Sequence, residues 1–259
     1  MLKIRKIQIP KLSGETERRL YIWLPECYGT DKDARYPVLY MFDGHNVFLD
    51  SHATYGKSWG MGDYLKENER PVIVVAVECN HEGNGRLEEY SPVSFDSPAF
   101  GKIRGRGKAY MDWLVGTLKP QIDREFRTLP DRKHTAICGS SMGGLMALYA
   151  GCCYGHVFQR AACLSPSLWI APGKLLSMIA KSRVRSDACI YLDYGSEEMG
   201  NHFETPEALI AAAHLLLSRR VNVTLRIVPG GNHSEASWQR QIPVFMDCLN
   251  LGGKHGDTL

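Results

Sequence analysis

The 259-residue chain has no apolar run approaching the roughly 20 residues of a membrane-spanning helix. Its N-terminus, MLKIRKIQIP, alternates charged and apolar residues, so it lacks the continuous apolar stretch and small-residue cleavage site of a secretory leader. An excess of one charge is missing too. Thirty-one Lys and Arg stand against 28 Asp and Glu, a net charge of +3, which argues against a nucleic-acid polyanion as the main partner. None of the eight cysteines (Cys27, Cys79, Cys138, Cys152, Cys153, Cys163, Cys189 and Cys248) falls in a C-x-x-C pair or a Cys/His ligand cluster by spacing, so no metal site is expected. Most of them sit in apolar runs such as TAIC, RAACL and ACIYL and read as small buried hydrophobes of a reducing compartment. Low-complexity linkers and internal repeats are absent. These absences leave a cytoplasmic protein that does not enter membranes. Its 44% hydrophobic and 23% charged residues are ordinary for a globular chain, and one domain is expected over residues 1–259. A homo-oligomer is compatible with all of this.

What is present alternates between two patterns. LKIRKIQI and RRLYIWL alternate in polarity and predict an antiparallel pair at a sheet edge. YPVLYMF and PVIVVAV are near-continuous apolar runs, as strands covered on both faces should be, and HTAIC, RAACLS, ACIYLDY and NVTLRIV continue the series. Between them lie helical patterns. GKAYMDWLVGTLKPQIDREF should be kinked or divided at Pro120. TPEALIAAAHLLLSRR should start at a Thr205 cap with Pro206 first in the helix, and SEASWQRQIPVFMDCL makes the last helix. Strand then helix, repeated, predicts an α/β domain on a mostly parallel sheet. The long segments Asp43–Gly62 and Cys79–Lys102 are rich in Gly, His, Asn and Ser and should be built over one end of that sheet.

Gly139-Ser140-Ser141-Met142-Gly143 fits G-x-S-x-G between the strand HTAIC and the helix LMALYAGCC. Small residues on either side of the central serine allow a sharp strand-to-helix bend that projects its hydroxyl. The same serine meets a helix N-terminus, where free N–H groups favour an oxyanion. Ser141 is the centre of the pattern, and Ser140 need not react. A serine hydroxyl needs a base in hydrogen-bond reach, and the base needs an orienting acid. In this architecture the base comes last in the chain. His233, in VPGGNHSEASW between the last strand and the last helix, fits that place. His45, His52, His81 and His134 lie upstream, His214 sits in an apolar helix, and His156, His202 and His255 lie in the wrong segments. The acid should follow the strand CIYLDY, where Asp193, Glu197 and Glu198 compete.

With these residues in place, YPVLYMFDGHNVF, RLEEYSP, GSSMGGLMALY, LSPSLW, YLDYGSEE and GGNHSEASW together resemble the putative-esterase family of α/β-hydrolases, from about Arg18 to Leu249. That family includes enterochelin esterases, feruloyl and acetylxylan esterases, S-formylglutathione hydrolases and mycolyltransferases. The resemblance implies an α/β-hydrolase fold with antiparallel N-terminal strands, and a serine esterase that needs no metal or organic cofactor. It places the acid three residues after Gly195, at Glu198, with Glu197 second. It also implies an oxyanion hole from the N–H of Met142 and from the loop around Gly44. Asp43 and His45 flank Gly44 and should shape that loop or touch substrate, and Trp169 should wall the acyl or leaving-group pocket. Arg86 and Glu89 of RLEEYSP should anchor a loop near the site. The implied substrate is a small or medium soluble ester, such as an acylated sugar or a siderophore-type ester. The loop FDGHN speaks against the S-formylglutathione hydrolase subgroup. The rival readings are an acyltransferase with the same triad and a non-catalytic binding protein on a hydrolase scaffold.

Overall fold

Ten strands and eight α-helices follow one another in the computed structural model, which describes residues 1–10, 12, 16–198 and 204–252. The strands are β1 (Leu2–Ile7), β2 (Arg18–Trp23), β3 (Val38–Met41), β4 (Ile73–Val77), β5 (Phe95–Ser97), β6 (Gly101–Ile103), β7 (Thr135–Ser140), β8 (Arg160–Leu164), β9 (Cys189–Gly195) and β10 (Asn222–Val228). The helices are α1 (Met61–Glu67), α2 (Gly85–Glu89), α3 (Gly107–Trp113), α4 (Lys119–Glu125), α5 (Met142–Cys153), α6 (Pro172–Lys181), α7 (Glu204–Leu217) and α8 (Glu235–Leu249). Eight strands form one sheet in the order β1-β2-β4-β3-β7-β8-β9-β10, and β5 and β6 make a separate hairpin. Pairing is parallel from β4 through β10, while β1 and β2 are antiparallel at the edge. This is the mostly parallel α/β-hydrolase sheet with antiparallel N-terminal strands.

The apolar runs are explained by burial on both faces. Along β3, Val38 and Tyr40 enter one core while Leu39 and Met41 enter the other, and β4 and β8 alternate in the same way. The first core lies under α3, α5, α6 and α7, the second under α1 and α8. Helix α5 is buried on nearly its whole circumference, from Met142 to Cys152, which is why its sequence shows no polar face. The helix from Gly107 does not break at Pro120. A π-turn over Leu114–Leu118 joins α3 to α4, widening the ladder just ahead of the N–H that Pro120 cannot donate. Helix α7 starts at Glu204, so Thr205 lies inside it and not at its cap. His202 and His255 lie outside the described residues. No helix among the described residues is long and apolar enough to cross a membrane.

Topology positions the chemistry. The segments that leave the carboxyl ends of β3, β4, β7, β8, β9 and β10 gather at one end of the sheet, the usual place for a ligand in an open α/β fold.

Candidate active site

Ser141 joins β7 to α5 at φ 56° and ψ −121°, a conformation that L-residues avoid. Its neighbours explain how it is held. A Cβ at Gly139 would come within 2.6 Å of Gly143 backbone, and one at Gly144 within 2.5 Å of the Leu164 carbonyl. Only glycine lets strand, bend and helix approach so closely. The bend is pinned by Ser141 N–H donating to Leu164 O (2.9 Å) and Ser167 N–H to Ser141 O (3.1 Å). The helix's first turn closes with Leu145 N–H donating to Ser141 O, leaving the N–H of Met142 without an acceptor inside the helix.

The Ser141 hydroxyl meets three groups in series. His233 Nε2 lies 2.9 Å from Ser141 Oγ, and His233 Nδ1 lies 2.7 Å from Glu198 Oε2. The other carboxylate oxygen, Oε1, accepts from the Gly195 N–H (2.9 Å) and the Ser165 hydroxyl (2.7 Å). The Ser165 hydroxyl in turn accepts from Trp238 Nε1 (2.9 Å), and the His233 ring meets the Trp238 ring edge-on at 5.0 Å. Glu198 is therefore buried with both oxygens committed, and its geometry fixes which imidazole nitrogen carries a proton. Glu197 is exposed and Asp193 points elsewhere, to Tyr191 and the Ser165 N–H. A hydroxyl, an imidazole and a carboxylate so arranged can pass a proton from oxygen to nitrogen and hold the resulting imidazolium.

A family model described as "Putative esterase" matches residues 13–246. The chain belongs to this esterase family. It is 25% identical over 257 residues to the apo-salmochelin esterase of Escherichia coli, a match covering 94% of this chain and 72% of that one. It is 24% identical over 179 residues to the ferri-bacillibactin esterase BesA of Bacillus subtilis, covering 64% of this chain but only 60% of the relative. The chain thus spans less than two thirds of that relative's length. Among solved structures, an IroE-like serine hydrolase from Shewanella oneidensis superimposes with a TM-score of 0.72 at 18% identity, over 97% of this chain and 89% of that one, and so shares the fold.

In this esterase-family chain the loops after β3 and β4 form the cleft wall opposite His233. Gly44 opens a 3-10 turn, Gly44–Asn46, whose first donors have no acceptor within the turn. The turn is pressed against β4, where a Cβ on Gly44 would meet Ala76 backbone at 2.7 Å. Asp43 precedes it at φ 53° and is clamped by Arg86 (Nε to Oδ1 2.7 Å, Nη2 to Oδ2 2.8 Å). Burial would raise the Asp43 carboxyl, but the Arg86 charge and hydrogen bonds hold it below its ordinary value. Glu89 is paired with Arg18 in the interior and accepts from the Asn80 N–H. Arg86 and Glu89 anchor these loops as the sequence led one to expect. His45 is buried and lines the cleft, with Nε2 3.0 Å from Thr54 Oγ1, and burial lowers its pKa to about 4.

Trp169 lies in the 3-10 turn Leu168–Ile170, half-buried against the first core, and is not among the described residues lining the cavity. The turn follows Ser165-Pro166-Ser167 and packs on α7. Sequence reasoning passed over three neighbours: Ser165, Trp238 and Ser167, whose Oγ stands 3.3 Å from Ser141 Oγ. Two of them were in plain view in LSPSLW. It also passed over a cluster of His45, Cys79 and His81, whose ligand atoms all lie within 4.8 Å of one another. The signal was Cys79-x-His81, but His45 comes from another loop.

Asp193 carries a testable consequence. Burial, with the Glu198 charge nearby, raises its pKa to about 7 against hydrogen bonds from Tyr191 and Ser165. Between about pH 4, where the unfolded carboxyl titrates, and about pH 7, the folded chain holds the extra proton, so Asp193 makes stability fall as pH rises through that window. Asp193→Asn should therefore raise Tm more at pH 8 than at pH 5, as read by thermal melting at the two pH values. Equal shifts at both would contradict the assignment.

Proposed function

We propose that the chain is a serine carboxylic-ester hydrolase working through an acyl-enzyme. The observation that carries this reading is the unbroken series Ser141 Oγ, His233, Glu198 at 2.9 and 2.7 Å. Ser141 attacks the ester carbonyl while His233 Nε2 takes its proton, and Glu198 stabilises the imidazolium through Nδ1–H. The N–H of Met142 and an N–H of the turn that Gly44 opens receive the tetrahedral oxyanion, each donor being worth typically about 2.7–4 kcal/mol. His233 then returns the proton to the leaving alkoxide. Water, deprotonated by His233, releases the acid.

The cleft supports a polar substrate. Its cavity, about 450 Å³, is lined by Asp43, His45, Asn46, Tyr55, Asn80, His81 and Arg86 besides Ser141 and His233. Such walls suit hydrogen-bonding or acylated-sugar fragments and siderophore-type esters better than a long alkyl chain. A p-nitrophenyl ester series is the test. The kcat/KM should be highest for acetate and butyrate and fall steeply by decanoate, and added alcohol acceptors should divert little product to transfer. A maximum at decanoate would contradict the polar-substrate reading, and transfer in excess of hydrolysis would replace hydrolase by acyltransferase.

A further inference from the structure

We propose that His45, Cys79 and His81 form a site for a divalent transition-metal ion of the zinc class at the mouth of the cleft. The three ligand atoms come from two loops and converge to within 4.8 Å of one another. Tetrahedral zinc holds nitrogen and sulfur ligands about 3.3–3.6 Å apart, so binding needs a contraction of roughly 1 Å. His81 stands on the exposed rim of the cluster, where such a shift meets little resistance.

The groups behind the cluster point the same way. His45 gives its Nε2 to Thr54 Oγ1, and its Nδ1 is buried with no hydrogen-bond partner. His45 itself is only 3% exposed, so that nitrogen is a buried polar atom without a partner in the cleft wall. His81 gives its Nε2 to Glu78 Oε1 (3.2 Å), leaving Nδ1 on the side of Cys79 Sγ, 4.0 Å away. Each imidazole thus has one nitrogen engaged by an oxygen and the other without an oxygen partner, the outer arrangement that orients metal-binding histidines. Glu78 is itself held by Arg19, so the His81 support is rigid. Two imidazoles and a thiol select zinc-class ions over calcium or magnesium.

The opposing force is at Cys79. Burial pushes its thiol up, so the proton is held tightly. On binding, that proton leaves to solvent and the ion's charge holds the thiolate, while Asp43 keeps its clamp to Arg86. Three protein donors leave a fourth position to water or a substrate atom. The site is distinct from Ser141, His233 and Glu198, and it stands whether or not those residues hydrolyse esters.

The test uses metal alone on the full chain. Cobalt(II) titration should saturate at one equivalent with an intense thiolate-to-cobalt absorption band, and Cys79→Ser should abolish the band. Zinc competition against a chromogenic chelator should show His81→Ala binding at least about tenfold more weakly than wild type. His81 is exposed, so that variant keeps its fold even where Cys79→Ser does not. Saturation without the thiolate band, or equal zinc affinity in His81→Ala and wild type, would overturn the proposal.

Discussion

Alanine at Ser141, at His233 or at both should lower kcat for p-nitrophenyl acetate by the same factor, about 10⁶-fold where the uncatalysed rate permits the reading. The reason is that the two side chains act as one device. Without His233 the Ser141 hydroxyl keeps its proton and is a poor nucleophile. Without Ser141 the imidazole has nothing to deprotonate on the bound ester. Once one is gone, removing the other has no further step to damage, so the double variant should match the singles. KM should change far less, because neither side chain holds the ground-state ester by more than a hydrogen bond. Additive losses would mean that the two residues serve separate functions. Stability gives an independent check. Ser141 is held at φ 56° by a bend that stores strain, and alanine there adds no clash, so a lost activity with an unchanged Tm would come from chemistry and not unfolding.

Glu198→Gln should lower kcat by about 10⁴-fold while leaving the fold intact. The isostere fits, but its amide cannot face either way. The Gly195 N–H and the Ser165 hydroxyl lie on the Oε1 side, and the Gly195 donor demands an oxygen there. The amide nitrogen must then face His233 Nδ1, which becomes an acceptor. The imidazole proton moves to Nε2 and points at Ser141 Oγ, so the base is blocked by its own tautomer. Glu197→Gln should retain nearly wild-type kcat, because Glu197 is exposed and its backbone alone is engaged, through N–H to Gly231 O. If Glu197→Gln lost the larger factor, the acid would be assigned one residue too far along.

The particular residues show why some of this was legible in the sequence and some was not. The sheet could be read because burial on both faces leaves uninterrupted apolar runs, and its antiparallel edge because β1 stays half-exposed and alternates. G-x-S-x-G was legible because Gly139, packed on the Gly143 backbone, and Gly143, packed on Phe42, leave no room for a side chain. Ser141, Ser165, Glu198 and His233 come from four loops, after β7, β8, β9 and β10, and Trp238 comes from α8; spacing along the chain carries no distance between such segments. Hence Asp193, Glu197 and Glu198 could not be separated by pattern, and the Trp238–Ser165–Glu198 relay was invisible. Pattern could not place Trp169 for the same reason: proximity in sequence to Ser167 does not give the direction of the turn that follows. Pro120 shows a different limit, since a π-turn can absorb a missing donor that a simple helix rule treats as a break.

The measurement that tests the central claim most directly is intact mass after exposure to a fluorophosphonate, with peptide mapping of the adduct, on wild type, Ser141→Ala, Ser140→Ala and Ser167→Ala. An activated Ser141 predicts one adduct per chain, mapped to Ser141, lost in Ser141→Ala and retained in the other two variants. An unlabelled wild type that also fails to hydrolyse p-nitrophenyl acetate, or an adduct that persists in Ser141→Ala, would contradict it.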